Sequence, residues 1–132
     1  MLSDHFSAAE LRCSHCWADG LVNLGPWRNA HNVAELEAVR AAFNQERARR
    51  NLPPTGLPVN SGHRCALHPI EAAKDTPGQH NIMAVDFGVF GFDAPLLTVA
   101  LVRCGWTGIG WQQKGSGRYV HADKGAPRAW SY

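Results

Sequence analysis

The sequence predicts a single α+β domain over residues 1–132, with a small antiparallel sheet and flanking helices. Two stretches have the apolar spacing of amphipathic helices, and short apolar runs bounded by Gly or Pro have the character of strands. The chain contains no repeat, low-complexity tract or linker. A chain of 132 residues is long enough to bury a core as one unit, so a second domain is not expected.

Capping residues and apolar periodicity locate the helices. Ser7 and Glu10 have the spacing of a capping box, which predicts a short first helix. The principal helix is predicted to begin after Asn32, where apolar residues recur at helical spacing, and to end before Pro53. A further helix is predicted to follow Asp93 as its cap residue, with Pro95 early in the helix, and to end at Gly105.

Strands are predicted where apolar residues are flanked by turn-forming residues. The predicted strands are residues 57–61, 84–89, 107–111 and 118–122, and the last two form a hairpin. Residues 13–30 and 74–79 are predicted loops because they lack a clear period, and a short helix is expected near residues 67–73. Trp130 and Tyr132 in the tail are expected to pack rather than to act.

Composition excludes several classes of protein. With 45% apolar and 18% charged residues, the chain is typical of a globular domain and not of a disordered one. A net charge of +2 is too small to indicate a nucleic-acid partner. No run of about eighteen apolar residues and no basic segment leading into an apolar one is visible, so neither a membrane partner nor a signal peptide is expected.

The four cysteines are too few for a disulfide scaffold, and reduced thiols are the simplest expectation. Cys13 and Cys16 have the spacing of metal ligands, but a structural zinc site normally needs a second pair of ligands. Cys65, Cys104 or a histidine would have to provide that pair. A disulfide is the remaining alternative, and it would require an oxidising compartment.

The most informative residues lie in two segments, 78–87 and 119–123. These segments place two imidazoles and two carboxylates beside apolar, strand-like residues: His80, Asp86, His121 and Asp123. Burial of such groups is costly unless they are hydrogen-bonded, ion-paired or bound to a metal. A zinc ion held by two histidines and one aspartate, with one position open for water, would satisfy them and produce a hydrolytic site.

The spacing of these residues constrains the backbone between them. In a continuous strand, His80 and Asp86 would lie about 20 Å apart, at roughly 3.3 Å per residue, which is too far for a shared metal. The chain must therefore fold back if they share one, and the preceding glycine-containing loop suggests a turn that carries His80. His121 and Asp123 alternate along a strand and should project from the same face.

A series of short motifs runs in a fixed order through most of the chain. The motifs are His5–Leu11, Ser61–Arg64 with His68, Gln79–His80, Ala84–Phe87, Gly108–Gly110 and Tyr119–Asp123. In order and spacing they resemble the zinc D-alanyl-D-alanine carboxypeptidases and the related peptidoglycan endopeptidases, which share a fold with the hedgehog signalling domain. The resemblance implies a hedgehog/DD-peptidase-like fold and a single peptidase domain over residues 1–132.

The resemblance also implies roles for individual residues. It implies one Zn²⁺ ion bound by His80, Asp86 and His121. It implies that Arg64 helps to hold a substrate carboxylate, as a planar guanidinium can do through two parallel hydrogen bonds, and that Ser61 takes part in substrate binding. The implied substrate is a peptidoglycan stem peptide.

The chain departs from the family pattern in two places. Five residues separate His80 from Asp86, where family members usually have one more, with a glycine at the third position. Many members also carry Glu or Asp three residues before the final histidine, where this chain has Arg118, which cannot act as a base near neutral pH. The most similar subgroup has a His-x-Asp sequence instead. Asp123 is therefore the candidate to accept a proton from zinc-activated water, or at least to orient the site.

These observations predict a zinc-dependent metallopeptidase that cuts peptidoglycan stem peptides or crosslinks, as a D-Ala carboxypeptidase or as an endopeptidase. The expected protein is a monomer of phage or bacterial origin, made in the cytoplasm and acting on the cell wall after release, as a phage-type lysis enzyme would. The main alternative is a non-catalytic zinc-binding or cell-wall-binding module of the same fold. A third is a fold stabilised by Cys13 and Cys16, with no metal at the histidines.

Overall fold

The computed structural model describes residues 1–76 and 78–132. Within these ranges the chain forms a five-stranded sheet with flanking helices, which confirms the predicted α+β class. The helices are α1 (Ala8–Leu11), α2 (Ser14–Ala18), α3 (Ala30–Ala48), α4 (Pro69–Ala72), α5 (Gln79–Ile82) and α6 (Asp93–Arg103). The strands are β1 (Val59–Ser61), β2 (Ala84–Phe87), β3 (Gly108–Gln112), β4 (Tyr119–Asp123) and β5 (Arg128–Ser131). In the same ranges, no helix is both long enough and apolar enough to cross a membrane.

The sheet has the strand order β1-β2-β4-β3-β5. The pairings β1–β2, β2–β4 and β3–β4 are antiparallel, whereas β3 and β5 are parallel. The sheet is therefore mixed, and the prediction of an antiparallel sheet was wrong at the edge strand β5. The error came from the tail, which was not predicted to form a strand. Because β4 runs antiparallel to β3, a chain that turns back after β4 and pairs with β3 must run parallel to it.

The two faces of the sheet differ in polarity because side chains alternate along each strand. Val85 of β2 and Val120 of β4 are fully buried in the hydrophobic core, which α3 and α6 complete from one side. The neighbouring residues Asp86 and His121 therefore leave the opposite face. The helices contribute the following fully buried apolar side chains to the core: Leu36, Val39, Phe43, Leu97 and Leu101.

The structure confirms several of the predicted helices and corrects their ends. In the capping box, Glu10 N donates to Ser7 Oγ, and Ser7 N donates to the Glu10 side chain. Helix α3 begins earlier than predicted because Asn29, and not Asn32, caps it by accepting a hydrogen bond from the backbone of His31. Helix α6 lies close to its predicted position, but its N-cap is Phe92, so Asp93 lies in the first turn and not at the predicted cap position, and the helix ends at Arg103.

The short helices α2 and α5 were not predicted from the sequence, whereas the short helix expected near residues 67–73 is confirmed as α4. The predicted loop over residues 13–30 contains α2 and a 3₁₀ helix at Gly25–Arg28. The predicted loop over residues 74–79 includes Pro77, which lies outside the described residues, and His80 lies in α5 rather than in a turn. A helix of four or five residues is too short for an apolar period to appear, and α2 and α5 also lack the side-chain N-cap that marks α1, so only their packing reveals them.

Candidate metal centre

Strands β2 and β4 place an aspartate opposite a histidine. Asp86 and His121 are partners in the antiparallel register, so their side chains leave the same face of the sheet. His121 Nδ1 lies 3.0 Å from Asp86 Oδ1. Helix α5 brings His80 to the same point, with its Nε2 atom 3.1 Å from Asp86 Oδ1 and 3.3 Å from His121 Nδ1. All three side chains are buried.

Helix α5 explains how His80 reaches Asp86. A helical residue advances the chain by about 1.5 Å, compared with about 3.3 Å in a strand, so the part of the intervening segment that lies in α5, which ends at Ile82, adds little length. The backbone of Arg64 holds this turn, because its N–H donates to the His80 carbonyl at 2.9 Å. The five-residue spacing between His80 and Asp86 is therefore sufficient for the two side chains to meet.

In each histidine ring one nitrogen faces Asp86, and the other, outer nitrogen points away from it. Hydrogen bonds at the outer nitrogens determine the tautomers of both histidines. His80 Nδ1 lies 2.8 Å from the backbone carbonyl of Gly62, which can only accept, so this nitrogen carries a proton. His121 Nε2 lies 2.6 Å from Asp123 Oδ2, and an ionised carboxylate is likewise only an acceptor. In their neutral forms, both rings therefore direct a lone pair towards Asp86.

The inner atoms of the three side chains fit a metal ion. Two imidazole lone pairs and a carboxylate oxygen meet at 3.0–3.3 Å, an arrangement that repels unless a proton or a cation lies among them. Ligands of a tetrahedral zinc ion with bonds of about 2.0–2.1 Å are about 3.3 Å apart. The donor set and its separations are therefore consistent with a bound divalent metal, and the predicted ligands His80, Asp86 and His121 form one cluster. The donors alone do not select zinc over other metals that accept imidazole and carboxylate.

Asp86 and His121 shift each other's pKa in the directions that stabilise their charged forms. Burial would raise the pKa of Asp86, but hydrogen bonds from His121 and His80 hold the pKa of this carboxyl well below its usual range. Burial would lower the pKa of His121, but hydrogen bonds to Asp86 and Asp123 raise this pKa overall. In the absence of metal, an ionised Asp86 therefore lies beside a His121 that holds its proton more firmly than an ordinary histidine, and a metal ion must compete with that proton.

Asp123 is fully buried and lies behind His121. Arg128 donates two hydrogen bonds to its carboxylate, at 2.9 Å to Oδ1 and 2.8 Å to Oδ2, and Gly125 N donates a third at 2.9 Å. Burial would raise the pKa of Asp123, but the bonds from Arg128 and His121 lower it. The carboxylate faces the outer nitrogen of His121, whereas Asp86 faces the inner one. This geometry supports the orienting role among the two roles predicted for Asp123.

Sequence analysis missed the contribution of β5 to the site. Arg128 holds Asp123, and the Trp130 ring lies 5.2 Å from the His121 ring. Two glycines of β3 leave room for these side chains: a Cβ atom at Gly108 would collide with the Asp123 carboxylate, and one at Gly110 would collide with the Trp130 ring. The Gly-x-Gly spacing in a strand was the signal that bulky side chains cross this surface.

His80, Asp86 and His121, which we call the triad, open into a cavity of about 210 Å³ with cationic and aromatic walls. Its lining includes Arg64, Lys74, Tyr119, Arg128, Trp130 and Tyr132. Arg64 Nη2 lies 3.5 Å from Asp86 Oδ2, so the guanidinium reaches the edge of the triad. Burial and a hydrogen bond with Tyr132 raise the pKa of Tyr119 to about 12, which keeps the phenol protonated near neutral pH.

Ser61 and Arg118, two positions considered in the sequence, do not line the triad cavity. Ser61 lines a neighbouring cavity of about 190 Å³ together with His63 and His68, and Arg64 lines both cavities. Arg118 stacks on Phe90 with its guanidinium 4.2 Å from the ring centroid. Among the residues that the structure describes, Asp86 is the one carboxylate that lines the triad cavity.

Comparison of the chain with models of protein families, with curated proteins and with solved structures finds no match. The fold and the site therefore define this protein as a small α+β domain with a buried His₂Asp cluster suited to a metal ion.

Proposed function

We propose that this protein is a zinc-dependent peptidase that hydrolyses peptidoglycan stem peptides or crosslinks. The observation that carries the proposal is the convergence of His80 Nε2, His121 Nδ1 and Asp86 Oδ1 within 3.3 Å of one another. The substrate class comes from the resemblance of the motifs to peptidoglycan peptidases. The hedgehog/DD-peptidase-like fold, the phage or bacterial origin and the action on the cell wall stay predictions.

The residues of the chain have distinct parts in the proposed reaction. His80, Asp86 and His121 would hold the ion, which when bound would polarise the scissile carbonyl and activate water. The Gly62 carbonyl and the Asp123 carboxylate keep both imidazoles in the tautomer that a metal requires. The protonated phenol of Tyr119 lines the same cavity and would donate a hydrogen bond to a developing oxyanion.

The charge of the cavity fits an anionic end of a peptide. Arg64, Lys74 and Arg128 line it, and Asp86 is the acidic residue that opposes them within the described part of the lining. A carboxylate of the stem peptide would bind the Arg64 fork beside the triad, which places the adjoining peptide bond near the ion. Ser61 would contact the substrate only where it extends past Arg64 into the neighbouring cavity.

Asp123 contributes to this proposal through His121. Because its carboxylate is enclosed by Arg128 and Gly125 and faces the outer ring nitrogen, it raises the basicity of the ligand rather than contacting the substrate. We therefore treat Asp123 as a positioning residue, and its predicted part as a proton acceptor is tested below.

A second candidate is a metal-binding wall module without catalysis. It is favoured by the lining of the triad cavity, in which no described carboxylate besides Asp86 is available as a base, and by the stacking of Arg118 on Phe90. Such a module would bind the stem peptide through Arg64 and the ion but would not cut it.

One experiment separates the two candidates. The zinc-loaded protein is incubated with purified peptidoglycan and with a soluble stem peptide, and the products are identified by mass spectrometry. We expect release of D-alanine or of cleaved crosslinks, loss of this activity in His121→Ala, and no change in His31→Ala, which removes an exposed imidazole. Stoichiometric zinc with binding to peptidoglycan but no product would overturn the peptidase and support the module.

A further inference from the structure

A second group of metal-ligand side chains lies apart from the triad, where the N-terminal segment meets the loop after β1. The sulfur atoms of Cys13, Cys16 and Cys65 all lie within 4.8 Å of one another. All four cysteines fall within the described residues and are free thiols, and Cys104, at the end of α6, is not part of the group. The proposed peptidase reaction uses none of these residues.

We propose that Cys13, Cys16 and Cys65 form a structural site for a thiophilic divalent ion such as Zn²⁺, with His15 as the fourth ligand. His15 Nδ1 lies 3.6 Å from Cys65 Sγ. Sulfur ligands of a tetrahedral zinc ion with bonds of about 2.3 Å are about 3.8 Å apart, so the three sulfur atoms, all within 4.8 Å of one another, are already close to the separations that an ion requires. The His15 ring lies beside Cys65 and would move closer to the other sulfur atoms to complete the set. Three thiolates and an imidazole are a typical closed, structural set of ligands.

The local fold brings the first pair of thiols together. Cys13 precedes α2 and Cys16 lies within it, and a separation of three residues places both on one side of the helical turn. Two backbone hydrogen bonds then close the following loop onto this turn: Cys13 N donates to Asn23 O at 2.8 Å, and Leu21 N donates to Cys16 O at 2.9 Å. Residues 13–23, which we call the knuckle, therefore hold Cys13 and Cys16 at the ligand-type spacing seen in the sequence.

Hydrogen-bond donors already point at the sulfur atoms. The backbone N–H of Cys65 donates to Cys13 Sγ at 3.3 Å, and Asn23 Nδ2 donates to Cys16 Sγ at 3.5 Å. Donors of this kind stabilise the negative charge of thiolates and orient them towards an ion. Cys65 thus bridges the knuckle to the loop after β1 through both its backbone and its side chain.

An ion at this position would brace the residues that orient the triad. Cys65 directly follows Arg64, whose N–H holds the His80 carbonyl, and the Gly62 carbonyl accepts from His80 Nδ1. The same loop is tied to the N-terminal segment by His63 N, which donates to Leu11 O at 2.9 Å. The site would therefore lock residues 62–65 in place, and its loss should loosen His80 without removing any ligand of the triad.

The test uses the full chain, reduced and stripped of metal, with Co²⁺ alone and Zn²⁺ alone as probes. In a His80→Ala/His121→Ala variant, which lacks the triad, we expect one equivalent of Co²⁺ to bind and to produce thiolate-to-cobalt charge-transfer absorption. Adding Cys65→Ser should abolish this band, whereas adding Cys104→Ser should leave it unchanged. A triad-deficient chain that shows no charge-transfer band, or one that loses the band equally with Cys104→Ser, would overturn the proposal.

A second measurement avoids the possibility that the cysteine variant does not fold. Alkylation of each thiol in the unmodified chain is followed by peptide mass spectrometry, with and without Zn²⁺. At zinc concentrations well above the dissociation constant, we expect alkylation of Cys13, Cys16 and Cys65 to slow by about tenfold or more, with Cys104 as the unprotected internal control. Equal alkylation with and without zinc, or a disulfide among the three thiols that zinc does not prevent, would contradict the site. Neither readout depends on peptidase activity.

Discussion

Asp86 and His121 face each other across the antiparallel pair β2–β4, with Asp86 Oδ1 3.0 Å from His121 Nδ1. Two of the three candidate ligands thus stand on paired strands, whose backbone hydrogen bonds fix their separation before any ion binds. The third, His80, comes from a short helix held by the Gly62–Arg64 loop. The site is therefore rigid on the side of the sheet and depends on loop contacts on the side of His80.

Replacement of Asp123 tests how this carboxylate acts. Because Asp123 holds the outer nitrogen of His121, Asp123→Asn should weaken the binding of metal by about 10–100-fold, as expected for a partner behind a ligand. The measurement is a competition titration of Zn²⁺ against a chelator, with His31→Ala as the control. If Asp123→Asn keeps its zinc affinity but loses hydrolysis at saturating zinc, Asp123 acts as the proton acceptor and the positioning role is wrong.

The pH dependence of metal binding follows from the raised pKa of His121. Hydrogen bonds to Asp86 and Asp123 overcome the effect of burial and raise this pKa, so an ion must displace a proton that is held more firmly than usual. Zinc affinity should therefore fall as the pH decreases through the range just above the ordinary pKa of histidine, about 6.5. Calorimetric titrations over several pH values should show proton release on binding. An affinity independent of pH across that range would contradict this prediction.

Zinc affinity should increase as the pH rises, but the stability of the metal-free protein should decrease as the pH rises above the ordinary pKa of histidine. A raised pKa of His121 stabilises the folded chain fully below the ordinary histidine pKa, and this contribution is lost as the pH rises through the folded-state value. The lowered pKa of Asp86 contributes stability above the ordinary carboxyl pKa, which is lost as the pH falls through the folded-state value. Thermal unfolding with and without zinc should therefore show a metal-induced increase in Tm that grows with rising pH. An increase that shrinks as the pH rises would count against a His121 ligand.

The recognition of a substrate carboxylate can be tested at Arg64. Arg64→Lys keeps the charge but loses the planar fork, so KM for a stem peptide with a free C-terminal carboxylate should rise by about tenfold, the equivalent of about 1.4 kcal/mol. Steady-state kinetics with the same peptide amidated at its C-terminus provide the control, and the variant and the unmodified protein should differ little on it. Equal losses on both peptides would show that Arg64 acts on the triad through Asp86 and not on the substrate.

The glycines of β3 allow a structural test of the support behind His121. Gly108→Ala would place a Cβ atom against the Asp123 carboxylate and the Arg128 guanidinium, so we expect a loss of about 1–3 kcal/mol in the free energy of unfolding. Urea denaturation measures this change, and Gly56→Ala is the matched control because its Cβ atom would have no neighbour within 4 Å. A Gly108→Ala protein as stable as the control would mean that the Asp123–Arg128 pair moves aside without cost.

Local sequence patterns were sufficient for the long helices and the hairpin. Helix α6 and strands β3 and β4 lie close to their predicted positions, because each element carries its own period of apolar residues and its own bounding turn. The same reasoning missed α2 and α5, which are too short to show a period. It also missed β5, whose pairing with β3 depends on a strand more than fifteen residues earlier in the chain.

The sequence by itself determined which side chains were candidates to hold an ion: His80, Asp86, His121 and Asp123 in one group, from which the family resemblance implied the first three, and the ligand-type spacing of Cys13 and Cys16 in another. Only the tertiary structure decided that Asp86 lies opposite His121, that Arg128 encloses Asp123 behind it, and that Cys65 reaches the first two thiols. The physical reason is that strand register and loop packing are set by contacts between residues far apart in the chain. Local periodicity reports which face a side chain occupies, but it does not report which distant residue shares that face.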